Sequence, residues 1–316
     1  MLDIMKIRIF RSSQRVFECQ DLESKKTLKA TAHGNLLKSG DLVVGDIVEA
    51  ELDQASNQYK IVTRCERENT LFRYISRERK NKTIAANIDF AAIVCSFEKP
   101  IFKRGLIDRY LLRIKQWGCS PLVIFNKEDI ALDKSLKSIE FEKKVLDFLE
   151  VPCFCLSAHS PDNCSDQVEN LKRIIKDKSL IMLGQSGVGK SSLISMLSDG
   201  KVDLKTKEIG KVGKGTHTTT WSEIIDCSNF LLVDSPGIRS FSLNDLLESE
   251  VKELFSDLDP YLSQCKFNDC QHNKNSVGCF FQQTDDPIIL ARFESYLRFI
   301  DEVSFEKDWL KKKNRG

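Results

Sequence analysis

The sequence predicts a multi-domain α/β protein with an N-terminal β-barrel, a central parallel sheet covered by helices on both faces, and a C-terminal helical region that binds metal. Short alternating strands occupy residues 1–70, and buried strands alternate with helical segments from residue 88 onward. A cluster of Cys and His follows between Cys265 and Cys279. Alternating strands and helices are typical of a parallel sheet. We therefore predict domains at residues 1–70, 71–240 and 241–316.

Composition places the chain among globular proteins and excludes several classes. It has 316 residues, 41% hydrophobic and 30% charged, and its net charge of +2 argues against a protein that coats a polyanion. The longest apolar stretch, Ile88 to Phe97, is far shorter than the roughly 18 residues of a membrane span. Residues 1–6 lack the pattern of a secretory signal. We expect a cytoplasmic protein without membrane contact, whose 11 cysteines are reduced.

Five short strands, separated by turn residues, predict the N-terminal barrel. A barrel of the OB type is the commonest such unit that binds nucleic acid. Another small barrel, for example an SH3-like one serving as a spacer, has the same strand count, so both interpretations stay open. The predicted strands are Lys6–Phe10, Arg15–Gln20, Thr27–Ala32, Asp46–Leu52 and Tyr59–Arg64.

Residues 73–82 form a basic connector after the barrel, with five Lys or Arg and one Glu. Such a run is either a solvated surface or a phosphate contact. Beyond it, the predicted strands of the central sheet are Ile88–Cys95, Pro121–Phe125, Pro152–Leu156, Ser179–Leu183, Ser222–Asp226 and Phe230–Val233, and the predicted helices lie around 107–117, around 138–149 and from Lys190.

A phosphate-binding loop follows the strand Ser179–Leu183. Residues 184–191 match G-x-x-x-x-G-K-[ST] in the required order of strand, loop and helix, which makes a chance match an unfavoured alternative. Backbone N–H groups of such a loop face phosphate oxygens, Lys190 would pair with the β- and γ-phosphates, and Ser191 would bind Mg²⁺. The predicted residues are Gly184, Gln185, Ser186, Gly187, Val188, Gly189, Lys190, Ser191 and Ser192.

An acidic residue for Mg²⁺ is predicted at Asp234, in the sequence D-S-P-G directly after the strand Phe230–Val233. D-x-P-G alone is a weak turn signal, but downstream of a phosphate loop it marks the place where a nucleotide-hydrolysing protein needs a carboxylate. The N–H of Gly237 would then approach the γ-phosphate.

The base is predicted from Asn126-Lys127-Glu128-Asp129, which follows the strand Pro121–Phe125. The Asp129 carboxylate can accept hydrogen bonds from N1–H and the 2-amino group of guanine, a pair of donors that adenine lacks. Asn126 would support the loop, and the Lys127 stem would cover the ring. Ser157-Ala158, after the strand Pro152–Leu156, fits a loop whose N–H approaches guanine O6. The pattern therefore predicts GTP and GDP as ligands; a plain surface turn is the alternative.

The order of these loops predicts a circularly permuted P-loop GTPase. The guanine loops precede the phosphate loop here, whereas an ordinary GTPase has the phosphate loop first. Loops that leave the carboxyl edge of one parallel sheet can form one site in either chain order. A consequence is that the segment after Asp234 leads directly into the C-terminal domain.

A Gly- and Thr-rich segment at residues 213–220 lies between the phosphate loop and Asp234. We predict that Thr218 or Thr219 is a second Mg²⁺ ligand that is ordered by the γ-phosphate. Ile238 occupies the position where Ras-like enzymes have a water-orienting Gln. His217 is then the nearest residue that could position the attacking water, unless it is merely an exposed loop histidine.

Three Cys and one His near the C-terminus predict one structural Zn²⁺. The pattern is C-x4-C-x-H-x6-C, with Cys265, Cys270, His272 and Cys279 as ligands, and four thiolate or imidazole ligands leave no open position for catalysis. Unligated reduced side chains are the alternative. A helix with an apolar stripe follows from Pro287, and the basic tail Lys311–Arg315 is either solvated or bound to RNA phosphate.

These motifs, in this order, give the chain a resemblance to the RsgA (YjeQ) family of bacterial GTPases that act in small ribosomal subunit biogenesis. The resemblance covers nearly the whole chain. It implies an OB-fold, a permuted GTPase and a zinc-binding domain that dock on the 30S subunit late in maturation, ribosome-stimulated hydrolysis, and a catalytic role for His217. Two positions depart from the family pattern: Thr216 replaces a basic residue, and six residues rather than five separate His272 from Cys279.

The leading hypothesis is an Mg²⁺-dependent GTPase, acting as a monomer, that binds the 30S ribosomal subunit and its 16S rRNA through the barrel, the basic connector and the zinc module. Two alternatives stay open. One is an RNA-binding scaffold whose hinge responds to nucleotide, and the other is a permuted GTPase of large-subunit assembly, which would lack the flanking barrel and zinc domain.

Overall fold

The computed structural model describes residues 4–13, 16–32, 42–54, 56–75, 78, 80–202, 222–234, 245–270, 272 and 275–313. Five N-terminal strands close into a barrel in the order β1-β2-β3-β5-β4, and β4 pairs back with β1. Inward-facing residues such as Ile7, Phe17 and Val48 are buried in its core. The predicted barrel is confirmed, and its strands are β1 Ile4–Ser13, β2 Val16–Asp21, β3 Thr27–Thr31, β4 Ile47–Asp53 and β5 Gln58–Arg64.

The predicted basic connector is part of a β-hairpin, formed by β6 (Thr70–Ile75) and β7 (Lys80–Ala86). Its base packs on the central domain: the indole N–H of Trp117 donates to the Phe72 carbonyl at 3.0 Å, and the Arg113 guanidinium stacks on the Phe72 ring. The hairpin was not recognised in the sequence because basic side chains on both strands interrupt the alternation of apolar and polar residues that is typical of strands.

The central domain is built on a sheet in the order β10-β9-β8-β11-β13-β12. Five of these strands run parallel, as predicted, whereas β12 is antiparallel to β13 because a short turn connects the two. The strands are β8 Phe90–Ser96, β9 Ser120–Asn126, β10 Cys153–Leu156, β11 Ser179–Leu183, β12 Glu223–Asp226 and β13 Leu231–Asp234.

Helices cover both faces of this sheet, as expected. Two successive residues of β8 face opposite sides of the sheet. Ile93 packs in the core beneath α1 and α2, and Val94 packs in the core beneath α3 and α4. Helix α3 (Ser165–Ile175) was not predicted from the sequence, although Val168, Leu171 and Ile175 lie on one helical face. The helices are α1 Arg104–Trp117, α2 Asp133–Phe148, α3 Ser165–Ile175 and α4 Lys190–Leu197.

The barrel and the central domain share one eleven-stranded sheet, because β1 pairs antiparallel with β12. Two polar contacts reinforce the junction. Arg67 binds the fully buried Asp46 through two hydrogen bonds of 2.6 and 2.8 Å, and the Asn87 amide donates to the Gly45 carbonyl at 3.0 Å.

The C-terminal region consists of α5 (Glu248–Leu254), α6 (Asp259–Leu262) and α7 (Pro287–Lys313) with short 3₁₀ turns. Leu112 of α1 belongs to its apolar core. Buried ion pairs also hold it to α1: Arg292 of α7 contacts Asp108 at 2.9 Å, and Arg113 contacts Asp245 at 2.6 Å. Among the described residues, we find no helix long and apolar enough to cross a membrane.

Glu142 on α2 gives the fold a predicted pH dependence. Burial, reinforced by the nearby Asp108 carboxylate, raises the pKa of Glu142 from 4.5 to about 7, although Arg104 lies 3.2 Å away. The folded state therefore binds more protons than the unfolded state between these pH values. The free energy of unfolding should fall across this window as pH rises, by at most about 3 kcal/mol.

Glu142→Gln should remove this contribution, because an amide does not titrate. Urea unfolding at about pH 5 and about pH 8 checks it: we expect the variant to lose less stability than the wild type between the two pH values. An unchanged difference between the two proteins would show that Glu142 is not the group responsible.

Candidate functional site

The loops predicted to bind nucleotide all leave one edge of the central sheet. Strands β8, β9, β10, β11 and β13 are parallel, so their carboxyl ends lie together. Asn126 ends β9, Ser157 follows β10, Gly184 follows β11 and Asp234 ends β13. Ligands of open α/β sheets bind at such an edge.

The guanine loop and the phosphate loop are in direct contact. The buried Asn126 amide donates to the Val188 carbonyl at 2.9 Å. The Lys127 ammonium donates to the Gly187 carbonyl at 2.6 Å and also to the Lys99 carbonyl. Residues 126–129 and 184–191 are therefore two parts of one surface.

Two glycines of the phosphate loop stand where a side chain would clash with a neighbouring atom. A Cβ on Gly184 would lie 2.3 Å from the Val94 carbonyl oxygen, and one on Gly189 would lie 2.2 Å from Nδ2 of Asn126. The Lys190 ammonium folds back onto the loop and donates to the carbonyls of Gly184 and Gln185 at 2.7 and 2.9 Å. Helix α4 begins at Lys190, so its N-terminal amides point into the loop.

The Asp129 carboxylate is oriented by the loop that follows β10. The Ser157 hydroxyl, 3% exposed as a residue, donates to Oδ1 of Asp129. The Ala158 N–H donates to Oδ1 of Asn126 at 3.2 Å. The two loops predicted to recognise guanine are therefore joined by hydrogen bonds.

A cavity of about 630 Å³ opens beside these loops, between α3 and α4. Ser191 and Ser192 line it from the phosphate side, and Ala158 and His159 line it from the guanine side. His159, which directly follows Ser157-Ala158, was not among the residues predicted from the sequence.

The predicted Mg²⁺ ligands are described only in part. Ser191 lies in the first turn of α4, and Asp234 ends β13, a direct neighbour of β11 in the sheet. A hydroxyl and a carboxylate are oxygen donors of the kind that Mg²⁺ prefers. His217, Thr218, Thr219 and Gly237, which complete the predicted site, lie outside the described residues.

A second cluster, in the C-terminal region, has the donor set of a metal centre. The ligand atoms of Cys265, Cys270, His272 and Cys279 all lie within 4.8 Å of one another. Nδ1 of His272 is 3.5 Å from Sγ of Cys265 and 3.8 Å from Sγ of Cys279. The six-residue spacing before Cys279 thus still brings its thiol to the cluster, which could hold one metal ion.

The cluster is tied to the C-terminal core. The His272 ring packs edge-on against Phe281 and Phe293, with ring centroids 5.7 and 6.0 Å apart. Phe293 lies on α7. The metal should therefore stabilise the packing of α7 as well as the loop that carries its ligands.

Removal of this metal should unfold the C-terminal core locally. Three thiolates and one imidazole with no open position bind a structural ion, whose binding free energy becomes folding free energy. We expect about one zinc per chain by elemental analysis, and increased amide hydrogen exchange over residues 265–304 after chelation. Cys227→Ser, which removes a buried thiol outside the cluster, is the control and should retain the metal. Metal-free protein with unchanged exchange would contradict the assignment.

Strand order and loop order together define the class of protein: a P-loop GTPase whose elements are circularly permuted. Comparison with known proteins agrees. Residues 64–244 match the family model described as RsgA GTPase, and the chain belongs to this family.

Relatives and solved structures extend the similarity to nearly the whole chain. The protein named small ribosomal subunit biogenesis GTPase RsgA from Hahella chejuensis is 37% identical over 83% of this chain and 74% of its own length. The protein of the same name from Borreliella burgdorferi strain ZS7 is 28% identical over 98% of this chain and 99% of its own. YjeQ from Thermotoga maritima has a similar fold, with a TM-score of 0.74 at 23% identity, covering 95% of this chain and 98% of its own. The circularly permuted GTPase YloQ is also similar, with a TM-score of 0.72 at 22% identity, covering 95% of each chain.

Proposed function

We propose that this protein hydrolyses GTP in the cytoplasm during late maturation of the 30S ribosomal subunit. The observation that carries the proposal is the direct contact between the guanine loop and the phosphate loop, through Asn126 with Val188 and Lys127 with Gly187. A ligand with a guanine at one end and phosphates at the other would use both loops. The names of its relatives supply the ribosomal subunit.

In this proposal Asp129 accepts from the guanine N1–H and 2-amino group, and Ser157 holds the carboxylate in the orientation that this requires. Asn126 ties the two loops together, and the Lys127 stem covers the ring. On binding of the nucleotide, Lys190 exchanges the carbonyls of Gly184 and Gln185 for the β- and γ-phosphates.

The remaining chemistry is assigned to the phosphate end of the site. Ser191 and Asp234 would hold Mg²⁺ together with Thr218 or Thr219, and the ion would supply charge neutralisation for the phosphate oxygens. The N–H of Gly237 faces the γ-phosphate, and His217 positions the attacking water. Cys265, Cys270, His272 and Cys279 hold one Zn²⁺, which has a structural role.

Binding to 16S rRNA is assigned to the barrel, the β6–β7 hairpin and the metal-binding region, with the protein acting as a monomer. The hairpin supports this: Arg73 and Lys82 are directly opposite each other on paired strands, which gives the surface local positive charge.

GTP turnover with and without purified 30S subunits tests the function. We expect 30S subunits to accelerate turnover, and His217→Ala to abolish the acceleration while the GDP affinity is retained. 50S subunits serve as the control and should have no effect. Acceleration by 50S instead of 30S would contradict the proposed partner, and binding without any turnover would favour the scaffold alternative.

A further inference from the structure

A row of four charged residues crosses the junction between the barrel and the central domain. Glu18 on β2 is the register partner of Arg11 on β1, and Arg11 is the register partner of Glu223 on β12. Glu223 in turn is the register partner of Asp234 on β13. The row therefore runs from the barrel to the carboxylate assigned to Mg²⁺.

Side chains of directly opposite residues in an antiparallel pair lie on the same face, with Cβ atoms about 5 Å apart. Two carboxylates, Glu223 and Asp234, thus face each other, a repulsive arrangement unless a cation offsets it. Arg11 provides one such cation: its guanidinium forms a hydrogen-bonded ion pair with Glu223, whose side chain is 10% exposed.

We propose that Arg11 and Glu223 are positioning residues that set the Mg²⁺ affinity of the nucleotide site from the barrel. This inference rests on the proposed function, in which Asp234 holds Mg²⁺. Arg11 offsets the negative charge of Glu223, so that this pair contributes little net charge beside the metal. Because these residues act on the metal through charge, removal of the Arg11 charge should raise the Mg²⁺ affinity and removal of the Glu223 charge should lower it.

The two single variants should shift the Mg²⁺ affinity in predictable and opposite directions. Arg11→Gln removes a positive charge one strand beyond Glu223, so the Mg²⁺ concentration for half-saturation should fall, on the order of threefold. Glu223→Gln removes a negative charge directly opposite Asp234, so that concentration should rise on the order of fivefold. The first effect is smaller because Arg11 is further from Asp234, and its side chain is 50% exposed with Glu18 as a second partner at 3.7 Å.

Dissociation of mant-GDP, measured by stopped-flow fluorescence against Mg²⁺ concentration, gives the half-saturation value without requiring turnover. The double variant Arg11→Gln/Glu223→Gln should return to within about twofold of the wild type. Glu18→Gln is the matched control, because it removes the other carboxylate next to Arg11 and Glu18 does not face Asp234. Its Mg²⁺ concentration for half-saturation should also stay within about twofold of the wild-type value.

A purely structural role predicts a different result. If the ion pair only held β1 against β12, both single variants would weaken the site in the same direction and the double variant would not recover; that pattern would overturn the inference. Wild-type release of mant-GDP that does not respond to Mg²⁺ at all would instead contradict the proposed Mg²⁺ site itself.

Discussion

Asp129→Asn is expected to convert the protein from guanine to xanthine recognition. Asp129 accepts two hydrogen bonds from guanine in the proposed complex, and hydrogen bonds to a charged group contribute about 1.5–3 kcal/mol each. The variant should lose GDP affinity by a factor on the order of a hundred or more. Xanthine has a 2-oxo group in place of the 2-amino group, and the Asn amide can donate to it, so XDP affinity should rise.

Isothermal titration of the wild type and of Asp129→Asn with GDP and with XDP measures the change in base preference. Glu128→Gln is a matched control, because it also removes a carboxylate from the same 3₁₀ turn but not the one that Ser157 contacts. That variant should bind GDP like the wild type. Tight GDP binding by Asp129→Asn would exclude Asp129 from base recognition.

Gly189→Ala is expected to disrupt the site where its two loops meet. The added Cβ would lie 2.2 Å from Nδ2 of Asn126, and Gly189 has φ of +96°, a conformation that costs an L-residue about 1–2 kcal/mol. The Asn126 amide must then leave the Val188 carbonyl, which separates the guanine loop from the phosphate loop. GDP affinity should fall on the order of a hundredfold.

Gly118→Ala is the control that separates the effect of the clash with Asn126 from the effect of backbone strain. Gly118 also has a left-handed φ, +77°, at the end of α1, but its added Cβ would meet nothing closer than Asn69 at 3.6 Å. We expect both variants to lose stability in thermal unfolding and only Gly189→Ala to lose GDP affinity. Equal GDP affinities would show that the loops do not depend on the Asn126 contact.

Local patterns account for what could be predicted from the sequence. The phosphate loop and the guanine loop are short contiguous motifs after apolar strands, and the metal ligands lie within fifteen residues, so their residue types and spacing identify them. The parallel sheet follows from the alternation of strands and helices. Barrel strands were recognisable because turn residues such as Gly34, Gly40 and Gly45-Asp46 separate them in the sequence.

Contacts between distant segments could not be predicted in this way. The alignment of Arg11, Glu223 and Asp234 depends on the register of strands far apart in the chain, which no local pattern specifies. The Lys99 carbonyl that receives the Lys127 ammonium is a backbone group and leaves no signature in the residue type. The antiparallel direction of β12 could not be predicted either, since a short strand has the same composition in either direction.

The central claim is that residues 126–129 and 184–191 hold one and the same nucleotide. Titration of XDP into Asp129→Asn, with and without Lys190→Ala, tests it most directly, because the first change selects the base and the second removes the cation for its phosphates. We predict that Asp129→Asn binds one XDP per chain and that adding Lys190→Ala abolishes the binding. XDP binding that is indifferent to Lys190 would mean that the two loops serve different ligands.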